Sequence, residues 1–354
     1  MPSIKDVARE AGVSTATVSH VINNTRFVSD EVRARVRRAI EECRYYPNAH
    51  ARSLASGRSQ IIGLVISDIT NPFFPELVKS IEAAAFEHRF DVVLSNTNYD
   101  SERTSHYVRR YIERKVTGVA VMTSELNQEL VEELAQCKVP AVFLDIGKTG
   151  LHMNNLHVDY EEGIKQAILH LAELGHRRIA YISGAREIRS SRRRLEAFQQ
   201  NIKQLFPTEP ELIFHGNFKV DGGQRAAQEI LSTLCENLPT AVVSANDLTA
   251  IGAINEFREA GLGVPDDISV VGFDDIPFAS LTVPSLTTVN VPLKELGRYA
   301  VEVLAESSED LKKQGVEIRI STHLVVRNST APVKARAANR SKRKGSTTEK
   351  QFIL

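Results

Sequence analysis

The sequence predicts an α-helical head built as a helix-turn-helix, followed by a two-lobed α/β body with parallel sheets. Three observations predict it. Residues 1–46 carry three short runs of helical periodicity punctuated by capping residues and a glycine. From Ile61 the texture changes to apolar strand-like runs alternating with helices, the pattern of a parallel sheet covered by helices. That alternation restarts at RIAYISG, near residue 178, so the body consists of two similar halves.

In the head, Ile4, Val7, Ala8 and Ala11 recur at the i, i+3, i+4, i+7 spacing of one helix face, with Ser3 placed to cap the start and Gly12 the end. Ser14 opens a second short helix whose inward face is Val18, Val21 and Ile22. Ser29 opens a third, with Val32, Val36, Ala39 and Ile40 inward. Two short helices across a tight glycine turn, braced by a third, make a helix-turn-helix. The second helix is bland on its other side: Thr15, Ala16, Ser19 and His20 lie on or beside its exposed face. A helix that enters the major groove brings its backbone close to base edges, so small side chains are an advantage there. Thr15 and Ala16 suit a thymine methyl, and His20 a purine edge. Ser14, Thr17 and Asn23 suit phosphate oxygens, assisted by the helix N-terminus. The competing reading is a three-helix bundle that merely packs.

Pro47 and Asn48 start, and Gly57 ends, a further helix of under about ten residues, too short to be stable alone. It reads as a hinge helix or as an ordinary linker. In the body the runs IIGLVIS, DVVLSN, GVAVMT and AVFLD precede the restart, and LIFHG, TAVVSAN and ISVVGFDD follow it. Two such halves enclose a cleft, the usual place for a small molecule. Polar residues close the strands facing it: Asp145 ends AVFLD, Asn246 ends AVVSAN and Asp274 ends SVVGFD, while Arg194 lies in the helix after RIAYISG. Carboxylates accept hydroxyls and an arginine donates a fork, a set suited to a polyhydroxylated ligand. Phe73 and Phe74, after Asn71-Pro72, offer rings for stacking. Each of these residues, taken singly, also reads as a capped strand end or a structural ion pair.

The chain has 354 residues, 42% hydrophobic and 25% charged, enough for two or three folding units. It has no apolar run of about 18 residues, so no membrane span is expected. The start MPSIKDVAREAG lacks the apolar segment of a secretory signal. Cys43, Cys137 and Cys235 are odd in number and far apart, which argues against a disulfide framework or structural zinc site and for a cytoplasmic location. Lys plus Arg and Asp plus Glu number 44 each, yet they are segregated: 10 against 6 in residues 1–60, 7 against 1 in residues 333–354, and so 27 against 37 between. A basic head on an acidic body points to a polyanionic partner for the head.

The stretches DVAREAGVSTATVSHVINN and VSDEVRARVRRAIEECRYYPNAHARSLASG resemble the DNA-binding head of the lactose-repressor (LacI/GalR) family of transcription regulators, and look closest to its purine-repressor branch. DITNPFF, LGHRRIAYISG, ANDLTAIGA, VPDDISVVGFDD and PSLTTV extend the likeness over 61–330. The resemblance implies a head at 1–46, a hinge helix and linker at 47–60, a periplasmic-binding-protein-like body at 61–332, and a basic tail at 333–354. Each lobe is then discontinuous, the first covering about 61–160 and 291–320, the second about 161–290 and 321–332. Leu54 becomes the hinge residue that wedges between base pairs from the minor groove. Phe73, Phe74, Asp145, Arg194, Asn246 and Asp274 match effector-contacting positions of the family, as do Ser67 and Phe218. The expected function is a homodimeric regulator on palindromic operator DNA, controlled by a small-molecule effector. A sugar or sugar derivative is the first choice and a nucleobase or nucleoside the second.

Three departures bear on that choice. Ile188 stands where the purine-repressor branch has a base-contacting arginine, Ala197 where glycine is common, and Val291 where glutamine is frequent; RSSRRR is unusually rich in arginine. The remaining classes are a binding protein without DNA function, which the head opposes, and an enzyme using the Asp274–Asp275 pair. No Gly-rich phosphate loop, HExxH, GxSxG or Cys/His cluster accompanies that pair, so no catalytic residue, cofactor or metal is expected.

Overall fold

The structure, a computed structural model, describes residues 2–23, 25–46, 59–123, 128–146, 150–235 and 237–334. The expected hinge helix with Leu54, and all but the first two residues of the basic tail, lie outside the described residues.

Helices α1 (Ile4–Ala11), α2 (Thr15–Asn23) and α3 (Asp30–Glu42) form the head. Their shared core is Val7, Ala8, Ala11, Val18, Val21, Val36 and Ala39, with Ile4, Ile22, Val32 and Ile40 packed at its edge. The turn between α1 and α2 depends on Gly12, which takes the left-handed conformation at φ +61°. The Asp6 carboxylate accepts from the Ser3 backbone N–H at 2.9 Å and closes the start of α1. Ser29 does sit at the N-cap of α3, but its side chain makes no cap bond.

The body has two six-stranded sheets. The first contains β1 (Ile61–Ile66), β2 (Asp91–Asn96), β3 (Gly118–Met122), β4 (Ala141–Leu144), β5 (Met153–Val158) and β11 (Glu317–Ile320), in the order β11-β5-β4-β3-β1-β2. The second contains β6 (Ile179–Ser183), β7 (Leu212–His215), β8 (Ala241–Ser244), β9 (Ser269–Asp274), β10 (Thr287–Asn290) and β12 (His323–Val325), in the order β12-β10-β9-β8-β6-β7. Every pairing is parallel except β10 with β12. The central strands β3, β6, β8 and β9 are buried at every residue, which is why they read as unbroken apolar runs.

The crossover helices are α4 (Phe73–Glu87), α5 (Ser101–Glu113) and α6 (Gln128–Gln136), then α7 (Tyr160–Glu173), α8 (Arg189–Leu205), α9 (Val220–Thr233), α10 (Asp247–Glu259) and α11 (Leu293–Glu309). Helix α11 returns to the first lobe and packs on α4. Gly297 permits that contact, since a Cβ there would lie 2.7 Å from Ser80 atoms. The chain passes between sheets three times, after β5, β10 and β11, and polar links pin the passages. Asp159 receives Arg319 Nε at 2.9 Å, and Thr322 Oγ1 donates to the Asp159 carbonyl at 2.8 Å. Asp275 receives Arg327 NH2 at 2.7 Å and Asn290 Nδ2 at 2.9 Å. One apolar cluster runs from Ile62 and Leu77 in the first lobe through Phe73, Tyr160 and Phe218 to Phe198 and Val271 in the second.

Candidate nucleic-acid interface and effector cleft

On the head, Ser14, Thr15, Ala16 and Asn23 face solvent, while Thr17, Ser19 and His20 are half-buried along the flanks of α2. Ser14 Oγ accepts the Thr17 N–H at 3.1 Å and lies 2.9 Å from the Thr17 hydroxyl, so it caps the helix. Asn23 Nδ2 donates to Ser19 Oγ at 3.2 Å. His20 Nδ1 is 2.9 Å from Thr25 Oγ1, a contact that restrains the ring. No acid occupies the first turn of α2, so its positive dipole end is unopposed.

In the body, Ser67, Phe73, Phe74, Asp145, Arg194, Phe218, Asn246 and Asp274 all line one cavity of about 60 Å³ between the lobes. It sits outside the carboxyl ends of the strands, where the open ends of both sheets converge. Asp145 and Asp274 arrive from the ends of β4 and β9. Phe73 and Phe74 open α4, and Asn246 caps α10 by accepting the Thr249 N–H at 3.0 Å.

The pocket's charges are organised by burial. Arg194 is 5% exposed and donates through NH2 to Asp274 Oδ1 at 3.1 Å and through NH1 to the Ala245 carbonyl. Its guanidinium carbon lies 4.1 Å from the Phe273 centroid and 4.6 Å from that of Tyr160. The terminal fork is therefore committed to protein, contrary to the sequence expectation of a fork open to ligand. Arg194 Nε is buried without a hydrogen-bond partner among the described residues. Burial pushes the Asp274 carboxyl up to about 6 against the pull of Arg194. Beneath it Asp247, wholly buried, accepts from Thr288 Oγ1 at 2.5 Å and from the Ile276 N–H at 2.8 Å. Burial first, and then the Asp274 charge, raises the Asp247 carboxyl well above its ordinary range.

Asp145 is equally engaged. Its Oδ1 accepts from the Val158 N–H at 3.0 Å and lies 3.1 Å from His157 Nδ1, and its Oδ2 accepts from the Tyr160 hydroxyl at 2.5 Å. Burial and the Asp145 charge keep that hydroxyl protonated. Asn246 Nδ2 donates to the Phe218 carbonyl at 3.0 Å. The aromatic pair Phe73–Phe74 meets edge to face at 5.3 Å. The backbone here takes a positive φ at four non-glycine lining residues: +60° at Tyr99 and at Asp145, +64° at Phe218 and +108° at Asp274. Strain of this kind persists where surrounding structure over-determines it, and it collects on this cavity's wall.

Sequence reasoning did not assign Asn71, Tyr99, Thr123, Tyr160 or Ser190 to the cavity, all of which line it. Asn71 had a local signal, since its Oδ1 accepts the Phe73 N–H at 3.2 Å as a cap of α4. Tyr160 and Thr123 had none; the fold alone brings them to the cleft. The arginine-rich start of α8 acts partly as a clasp between lobes. Arg189 NH1 donates to the Ile146 carbonyl at 2.6 Å, and Arg193 lies 3.7 Å from Asp145 and 3.5 Å from Glu161. Among the described residues no cluster of three or more metal-ligating side chains occurs, and no helix is long and apolar enough to cross a membrane.

Comparison with known proteins gives the following. Residues 3–48 match the family described as "Bacterial regulatory proteins, lacI family", and residues 168–330 match "Periplasmic binding protein-like domain". The HTH-type transcriptional repressor PurR of Aliivibrio salmonicida (strain LFI1238) is 35% identical over 331 residues, covering 93% of this chain and 99% of that protein. The lac repressor dimer bound to operator and the anti-inducer ONPF superposes with a TM-score of 0.85 at 30% identity, over 93% of this chain and 99% of the other. The complex of the transcriptional regulator CelR with cellobiose is 30% identical with a TM-score of 0.68, over 93% and 100%.

Proposed function

The chain belongs to the lacI family of bacterial regulatory proteins, and on that premise we propose that it is a transcriptional repressor acting as a homodimer on a palindromic operator, under control of a polyhydroxylated effector in the inter-lobe cleft. One observation carries the reading: a small-residue recognition helix and an inter-lobe cleft walled by buried polar groups on positive-φ backbone stand on the same chain. Two copies supply two reading helices for the two half-sites. Thr15, Ala16 and His20 read base edges, with Ser19 on or beside the same face, and Ser14, Thr17 and Asn23 hold phosphates.

The effector acts through the angle between lobes. Asp274 faces the cavity while its neighbour Asp275 anchors Arg327 and Asn290, which flank the chain passages. A ligand on Asp274 is thereby one residue from the hinge, and a coupling of about 1–3 kcal/mol is the usual scale for such linkage. Asp145 and Asp274 accepting hydroxyls, with Phe73 and Phe218 against a ring face, support a sugar or sugar derivative, as does the likeness to the cellobiose-bound regulator. A nucleobase is the second reading. The likeness to PurR repressors favours it, together with the aromatic lining of Phe73, Phe74, Tyr160 and Phe218.

The test is fluorescence anisotropy on duplexes selected from a random pool, with and without panels of sugars and purines. The expected outcome is preference for an imperfect palindrome with a flexible pyrimidine–purine step at its centre. Equal affinity for every duplex, with or without metabolite, rejects the proposal. Leu54→Ala should weaken operator binding and leave ligand affinity unchanged, because the wedge acts only on DNA.

A further inference from the structure

We propose that the effector carries an anionic group, a phosphate or carboxylate, held at the mouth of the cleft by the start of α8. The inference rests on the cleft being the effector site and names the chemistry it takes there.

Four observations converge on that mouth. The first is the helix end. Helix α8 is 17 residues long, its N-cap Ile188 cannot accept a hydrogen bond through its side chain, and its first turn holds no acid. The N–H groups of Arg189, Ser190 and Ser191 have no acceptor among the described residues, and Ile188 and Ser190 line the cavity. An uncapped helix start of this length presents donors and a positive dipole to whatever occupies the cleft.

The second is charge without counter-charge. Arg186, Arg189 and Arg192 lie within a few residues of this helix start, all exposed and none lining the cavity itself, and their partners are neutral. Arg186 bonds the His215 ring, whose protonation is suppressed by burial and by Arg186 itself. Arg189 bonds the Ile146 carbonyl, and Arg192 the Glu187 carbonyl at 3.0 Å. None of the three forms an ion pair among the described residues, and the Glu187 side chain pairs with none of them.

Third, the cavity's own acids are already answered. Asp274 is paired with Arg194, and Asp145 is surrounded by Arg193, His157 and the Tyr160 hydroxyl. They leave the excess positive charge of α8 in place. Fourth, Arg194 lines the same cavity, is 5% exposed, and keeps a buried Nε–H with no acceptor among the described residues. A buried donor without a partner is costly, and a ligand oxygen would satisfy it. A guanidinium prefers a charged oxygen to a neutral one. Asp145 and Asp274 then address hydroxyls deeper in the cavity, so the ligand class is a sugar acid or sugar phosphate.

The test uses the full chain and two kinds of probe. Inorganic phosphate should raise the melting temperature saturably at constant ionic strength, where chloride does not. The rise should vanish in Arg189→Gln with Arg192→Gln, and persist in Arg225→Gln, whose arginine is on the exposed face of α9. The melting temperatures without phosphate report whether each variant folds, and the single substitutions serve if the double one does not. No saturable shift, or an equal shift in the double variant, overturns the proposal. Calorimetry with glucose, glucose 6-phosphate and glucuronate then separates the sources: preference for the phosphate identifies a sugar phosphate, and for glucuronate a sugar acid. Tight binding of neutral glucose or a purine, lost in Arg194→Gln, without any phosphate effect would overturn the anionic subsite and leave the cleft as effector site.

Discussion

The head and the body solve opposite problems with the same twenty residues. The head keeps its chemistry outside: Thr15 and Ala16 are exposed on a nine-residue helix whose core is seven small apolar side chains. The body keeps its chemistry inside: Arg194, Asp274 and Asp247 are each at most 5% exposed, and the Arg194 guanidinium packs against the Phe273 and Tyr160 rings. A reader of DNA must be open to a long rigid partner and needs no shifted pKa. A sensor of a small molecule must desolvate it, and so accepts buried charge and strained backbone. Sensitivity to substitution should divide along the same line, with large costs in the cleft and modest ones in the head.

The largest effect should follow Arg194→Ala. It leaves Asp274 buried without its partner and removes the cation packed against Phe273 and Tyr160. Removing one member of a buried pair costs about 3–5 kcal/mol. Urea denaturation should show the loss in the body's transition, together with loss of ligand response. A change of under about 1 kcal/mol, the scale of a surface pair, would mean that the cleft is wet and that the contrast with the head is overdrawn.

The contrast also governs what was legible in the sequence. The head's information is local: Gly12 and Ser14 lie within a few residues of what they turn or cap, and Val18, Val21 and Ile22 mark the inward face by their spacing along α2 alone, so α1, α2 and α3 were legible from periodicity and caps. The alternation of strand and helix was legible for a similar reason, since β3, β6, β8 and β9 are buried on both faces and read as unbroken apolar runs. The strand-end residues Asp145, Asn246 and Asp274 were visible because strand ends are visible. Their partners were not. Tyr160 is 15 residues from Asp145, and Arg194 is 80 from Asp274. Only tertiary structure brings these together, and only it shows the Arg194 fork already occupied. The positive φ of Asp145, Phe218 and Asp274 has no sequence signature, because none is a glycine.

A second effect, smaller and confined to a pH window, tests whether Asp274 is as desolvated as its position implies. Its carboxyl is raised from 3.8 to about 6 in the folded chain. The native state therefore holds this proton more tightly than the unfolded state. Stability from this group is greatest below about pH 3.8, falls as pH rises toward 6, and is constant above that. Asp274→Asn lacks the titration. The stability difference between wild type and variant should therefore move against the wild type from pH 4 to 6 and then level. A difference independent of pH would place the carboxyl in water, which the buried geometry excludes.

The smallest effect belongs to the head and asks whether the two regions are energetically separate. Val18 is fully buried among Val7, Val21 and Val36, in a cluster that includes no residue of the body. Val18→Ala removes two methyl groups and leaves a small cavity, a loss of about 2 kcal/mol in the head alone. A core of seven buried side chains has little reserve, so operator affinity should fall through unfolding of α2 against α1. Ligand affinity and the body's urea midpoint should stay where they were, because no packing or hydrogen bond of the cleft passes through Val18. If the body's midpoint moved with the head's, the two cores would be one cooperative unit. The effector would then reach the recognition helix through shared stability, and the angle between lobes would not be needed to explain control.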